Sequence, residues 1–188
     1  AFRDRGHDAW SCDLLPAEDG SPYHIHGDVL EVLNDGWDLA IFHPPCTYLA
    51  VSGIKWNNLR PGRREKMEEA LEFVRQLLHA PIPRIALENP VGVISTRLWK
   101  PTQIIQPWQF GEPQSKKTCL WLFGLWPLMP TCITDKGERT IFASGRSMPK
   151  WYADAWRLPQ VERSRLRSRT YPGIAAAMAD QWPAGSSW

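Results

Sequence analysis

The stretch "HPPCTYLAVSG", residues 43 to 53, places one cysteine behind two prolines and directly after the apolar run "WDLAIF". A thiol that only packed would sit inside such a strand. Cys46 instead follows Pro44 and Pro45, where a rigid backbone presents it at the strand's end. The thiolate is the reactive form, and an ordinary thiol with a pKa near ~8.5 needs positive charge nearby to reach it. A second strand-like run, "RIAL", ends in Glu88, and Asn89 and Pro90 fix the turn after it. A thiol and a carboxyl at the ends of two buried strands are the parts of a nucleophilic addition assisted by an acid.

Those two groups need a frame that brings strand ends together, and the rest of the sequence predicts one. "AFRDRGH" reads as the end of a helix capped by Gly6, and "DAWSCDLL" as the strand after it. "GDVLEVLND" is a short helix or turn. After a polar loop over residues 53–64, "REKMEEALEFVRQLLHA" carries Met67, Ala70, Leu71, Val74, Leu77 and Leu78 on one helical face and is ended by Pro81. "PRIALENP", "TQIIQPW" and "KTCLWLFGL" read as further strands, and "YPGIAAAMADQW" as a terminal helix. Alternating strands and helices imply an α/β domain with a mostly parallel sheet. Ligands of such sheets bind beyond the carboxyl ends of the strands, where Asp13, Cys46 and Glu88 all fall. Trp99, Trp121 and Trp126 lie in or beside these strands and are expected in the core.

The 188 residues suffice for one domain with a real core. No apolar run approaches the ~20 residues of a membrane span, and no signal peptide is visible. Cys12, Cys46, Cys119 and Cys132 are scattered without a CxxC, which suits a reducing cytoplasm. His24 and His26 have no partner pair nearby, so a metal site is not expected. The net charge is only +2, but residues 136–170 hold nine basic and three acidic side chains, leaving the remainder near −4. Positive charge gathered in this way is what a phosphate-binding surface requires. The expected organisation is a catalytic core over 1–126, a short basic recognition-like segment over 127–169, and a C-terminal helix over 170–188 that returns to the core.

The order of these pieces resembles the DNA cytosine-5 methyltransferase family, in the small form found in phages and prophages. "PPC" (44–46) resembles its nucleophile motif and "ENP" (88–90) its Glu-Asn-Val motif. "GEPQSKKTCLWL" (111–122) is similar to its Gln-x-Arg-x-Arg strand entry, with Gln114, Lys116 and Thr118 at the matching positions. "TYPGIAAAMA" (170–179) resembles the terminal motif that returns to the cofactor. The resemblance implies a Rossmann-like methyltransferase fold that uses S-adenosyl-L-methionine. It assigns Cys46, Glu88, Asn89, Gln114 and Lys116 to catalysis, and Asp13, Asp28, Pro44, Pro45, Pro172 and Gly173 to the cofactor. Within it, Asp13 would hold the ribose and Asp28 the adenine amino group. The first strand and the glycine-rich cofactor turn are expected upstream of Ala1, so that this stretch alone binds cofactor poorly.

The implied partner is duplex DNA with one cytosine flipped out of the stack. The loop after Cys46, "TYLAVSGIKWNNLRPGRR", is expected to act as a mobile cover hinged at Gly53 and Gly62. It brings Lys55, Arg60, Arg63 and Arg64 within reach of phosphates and Trp56 within reach of a base. Two other readings accompany this one. The chain could be a catalytically silent nucleic-acid-binding protein that keeps the fold, because Lys116 and Thr118 replace both arginines of the family motif. It could also methylate RNA or a free pyrimidine nucleotide, because its recognition segment is short.

Overall fold

The computed structural model describes residues 1–57 and 59–182. The chain forms two compact units. One comprises residues 2–104 and 118–127 with Trp182, and the other comprises residues 105–117 and 128–181.

In the first unit, Arg3–Arg5 form a single 3-10 turn closed by Gly6 in the left-handed region, in place of the expected end of a helix. β1 (Ser11–Asp13) pairs in parallel with β2 (His24–His26), Asp13 lying opposite His26. α1 (Val29–Val32) follows, with Asp28 as its N-cap. β3 (Ala40–Phe42), α2 (Arg63–Leu78), β4 (Ile85–Pro90), α3 (Ile94–Arg97), β5 (Gln103–Ile105), whose last residue is counted with the other unit, and β6 (Thr118–Phe123) follow. The last four strands form one sheet in the order β3–β4–β6–β5.

β3 and β4 run parallel, Phe42 opposite Leu87, whereas β6 runs antiparallel to β4. The expected mostly parallel sheet is therefore a mixed one. A parallel neighbour needs a crossover, usually helical, that carries the chain back to its starting edge. Residues 106–117 hold no α-helix, and β6 enters the sheet beside the end of β4, with Thr118 facing Pro90.

The apolar spacing in α2 is used as its period requires. Met67, Leu71, Val74, Leu77 and Leu78 are buried in one cluster with Phe42, Ile85, Leu87, Cys119 and Trp121. Each such side chain contributes about 1.5–3 kcal/mol of gross transfer free energy. This cluster is what fixes the ends of β3 and β4 side by side. Of the three tryptophans expected in the core, only Trp121 is there. Trp99 and Trp126 are exposed, because the first follows α3 and the second lies beyond Gly124, outside the strands. The expected loop after Cys46 contains a 3-10 helix, Val51–Asn57, whose buried Asn57 amide lies 3.0 Å from the sulfur of Met67.

In the second unit, β7 (Arg139–Ile141) and β8 (Ser147–Pro149) form an antiparallel hairpin. α4 (Lys150–Ala155) packs on both strands and on α5 (Gln160–Ser168). α6 (Pro172–Gln181) buries Ile174, Ala177, Met178 and Ala179. Residues 183–188, within the expected terminal segment, lie outside the described residues. Among the described residues no helix is long and apolar enough to cross a membrane.

Candidate active site

The parallel register sets the geometry at the thiol. Ala40, Ile41 and Phe42 face Ile85, Ala86 and Leu87, so the next residue on each strand is His43 and Glu88. His43 Nδ1 lies 3.1 Å from Glu88 Oε2, the histidine half exposed and the glutamate three-quarters covered. Asn89 is buried, and its Nδ2 donates to the Pro44 carbonyl at 2.8 Å. The strand that carries the carboxyl thus clamps the backbone two residues before the thiol. The Oδ1 of Asn89 is buried with no partner among the described residues.

Cys46 is exposed, and its carbonyl accepts from the amides of Leu49 and Ala50, which turns the chain back over the sheet. The turn then pairs with the segment after Pro90. Val51 N–H donates to Val91 and Val93 N–H donates to Leu49. Gly92 is required in this lacing, since a Cβ there would overlap the Leu49 carbonyl oxygen. Arg63, at the start of α2, donates from Nη2 to the Thr47 carbonyl at 2.8 Å, with its guanidinium over Tyr48 at 4.8 Å. A cation is therefore built into the backbone turn that bears Cys46.

Of the residues expected to reach nucleic acid, Arg63 has this internal partner, while Lys55, Arg60 and Arg64 are exposed. Trp56 is half-buried, with Lys55 Nζ 4.8 Å and the Arg60 guanidinium 4.5 Å from its ring. Gly53 is packed against Arg63 and the Thr47 carbonyl, so it does not sit in open space as Gly62 does.

Asp13 and Asp28 come together at the carboxyl ends of β1 and β2. Burial pushes the Cys12 thiol above its ordinary pKa, and the carboxylates of Asp13, Asp28 and Glu31 push it further in the same direction. Each aspartate uses one oxygen locally: Asp13 Oδ1 accepts from Leu15 N–H at 2.9 Å, and Asp28 Oδ1 accepts from Leu30 N–H at 3.0 Å. His24 and His26 strap the intervening loop, their Nε2 atoms 2.8 Å and 3.0 Å from the carbonyls of Leu15 and Leu14. Leu14 and Leu15 are left exposed beside Asp13. Two carboxylates with an apolar shelf suit the hydroxyls, amine and ring of a nucleoside.

The remaining expected residues form a cluster within the second unit. Tyr171 donates its hydroxyl to Gln114 Oε1 at 2.9 Å. Lys116 Nζ donates to the Arg167 carbonyl at 2.7 Å and lies 5.3 Å from the Tyr171 ring. Glu112 Oε1 accepts from Gly173 N–H at 2.7 Å, placing a carboxylate at the first turn of α6, where the helix dipole favours it. Gly173 admits no side chain, because a Cβ would overlap the Phe110 carbonyl. Pro172 is exposed beside it.

Burial pushes the Tyr171 hydroxyl up to about 12. The folded protein keeps a proton that the unfolded chain releases near pH ~10, so stability falls as pH rises from ~10 through that value. A spectrophotometric titration is expected to show a tyrosine step, that of Tyr171, at about 12. Tyr171→Phe is expected to remove that late step and to flatten the loss of stability with pH in that window.

Sequence reasoning missed His43, Arg63 as an internal clamp, Glu112 and Tyr171. His43 had a signal, since "AIF-H" and "IAL-E" align residue for residue once the two runs are paired in parallel. The fold class is α/β, with parallel strands at both candidate sites. No protein-family model matches the chain, and no curated protein matches it either.

Proposed function

We propose that the chain belongs to an enzyme that methylates C5 of cytosine in DNA, using S-adenosyl-L-methionine, through a transient cysteine adduct at C6. The observation that carries this reading is the joined end of β3 and β4. The thiol turn and the carboxyl of Glu88 stand on adjacent parallel strands, and Asn89 ties one to the other through Pro44.

Cytosine C5 is too weak a nucleophile to take a methyl group directly. The Cys46 thiolate adds to C6, forming an S–C6 bond and moving an electron pair toward N3. Glu88 hydrogen-bonds N3 and the exocyclic amine, giving its proton to N3 as negative charge develops there. The ring is then enamine-like, with C5 electron-rich. The cofactor supplies an electrophilic methyl group for C5. Loss of the C5 proton to a base, return of the N3 proton to Glu88 and cleavage of the S–C6 bond then regenerate the aromatic ring and the thiolate. Asp13, Asp28 and the exposed Leu14 and Leu15 would hold the nucleoside part of the cofactor, and their clustering at one strand end fits that use. Lys55, Arg60, Arg64 and Trp56 would meet the nucleic acid beside the thiol.

The test uses the full-length protein. Labelled methyl transfer is measured in parallel on DNA, RNA and deoxycytidine nucleotides, with covalent trapping on DNA containing 5-fluorocytosine. Transfer to DNA with a trapped adduct is expected. Transfer to RNA or nucleotides alone would change the substrate, and neither transfer nor adduct would defeat the reading.

A further inference from the structure

The basic stretch contains an arrangement that methyl transfer does not use. α5 has no buried residue and carries Arg163, Arg165 and Arg167, with Arg169 directly after it. Arg163 and Arg167 lie four apart on one helix face, where like charges repel. Of the three acidic residues among residues 136–170, Asp154 is held by Lys150 at 2.6 Å.

The same two arginines meet two aromatic rings with matching spacing, one on α4 and one at its C-cap. Arg163 lies 5.5 Å from the ring of Trp156, and Arg167 lies 5.1 Å from the ring of Tyr152. Tyr152 and Trp156 are themselves four residues apart and edge-to-face, 6.2 Å between centroids. If these contacts only sealed α4 to α5, the rings would be covered. Trp156 is 57% exposed. A large ring open to solvent and flanked by guanidinium groups offers a stacking face for a base and donors for its phosphates. Bases in a duplex have no free face, whereas bases in an unpaired strand do.

We propose that α4 and α5 form a binding surface for unpaired nucleic acid, with Trp156 stacking on a base and Arg163, Arg165 and Arg167 engaging phosphates. This surface is independent of methyl transfer. A chain that binds single strands without trapping 5-fluorocytosine leaves it standing and defeats the catalytic reading. The reverse result defeats the surface alone.

The experiment measures anisotropy of labelled oligothymidine, oligouridine and a blunt duplex of equal length with the full chain, over a range of salt. Single strands are expected to bind more tightly than the duplex, the two oligomers showing which sugar is preferred. The logarithm of affinity should fall with log salt by about 0.7 per phosphate contacted. Trp156→Leu is expected to weaken single-strand binding about tenfold with the salt slope unchanged, while Trp156→Phe retains most of it. Arg163→Gln with Arg167→Gln should reduce the slope by about 1.4. Tighter duplex binding would overturn the proposal. So would equal affinity of the leucine and phenylalanine variants, or an unchanged slope in the double arginine variant, each with an unaltered melting temperature.

Discussion

On the proposed reading, Cys46→Ala is expected to abolish the covalent adduct on 5-fluorocytosine DNA and to lower methyl transfer by at least about 10^4-fold, the scale expected when a covalent nucleophile is removed. The adduct is itself the S–C6 bond, so no neighbouring group can replace the sulfur without a new trapped species. The substitution leaves the fold intact, because the thiol is exposed and what shapes its turn is backbone. Asn89 holds the Pro44 carbonyl, the amides of Leu49 and Ala50 hold that of Cys46, and Arg63 holds that of Thr47. Cys132 provides the control, since it is also exposed but stands outside this turn. Cys132→Ala should trap as the native protein does. An adduct that persists in Cys46→Ala, read by denaturing gel and peptide mass, would move the nucleophile elsewhere.

The site was legible where chemistry coincided with a strand end, and illegible where it depended on register. Pro44, Pro45 and Cys46 after one apolar run, and Glu88 after another, announce themselves because burial stops where the polar group begins. α2 was equally plain, since its buried residues recur with helical period from Met67 to Leu78. The direction of β6 was hidden, because a fully apolar run such as "CLWLF" reads the same in a parallel or antiparallel pairing. Trp99 and Trp126 were misplaced for a related reason. A tryptophan next to a strand resembles a tryptophan within one until the strand's last residue is known. The clamps were hidden more deeply. Asn89 to Pro44 and Arg63 to Thr47 join residues 45 and 16 positions apart through backbone carbonyls, which every residue possesses and no composition reveals.

His43 is the contact with the sharpest consequence for the proposed chemistry. Glu88 must give a proton to N3 and then persist as a carboxylate until the thiol leaves. Glu88→Gln removes that acid and is expected to lower kcat by about 10^2- to 10^4-fold, the range of a general acid. His43 does not touch the base in this scheme. With Nδ1–H donating to Oε2, it holds one oxygen of Glu88 and leaves the other for the substrate, and it stabilises the carboxylate formed on proton transfer. A hydrogen bond to a charged group contributes about 1.5–3 kcal/mol. At about 1.4 kcal/mol per factor of ten, His43→Ala should lower kcat roughly 10- to 100-fold. KM for DNA should be unchanged, since in this scheme the imidazole acts only through Glu88. His43→Asn offers an amide N–H near the position of Nδ1 and should restore much of the rate. Equal rates for His43→Ala and His43→Asn would reduce the histidine to a packing residue and leave Glu88 to act alone.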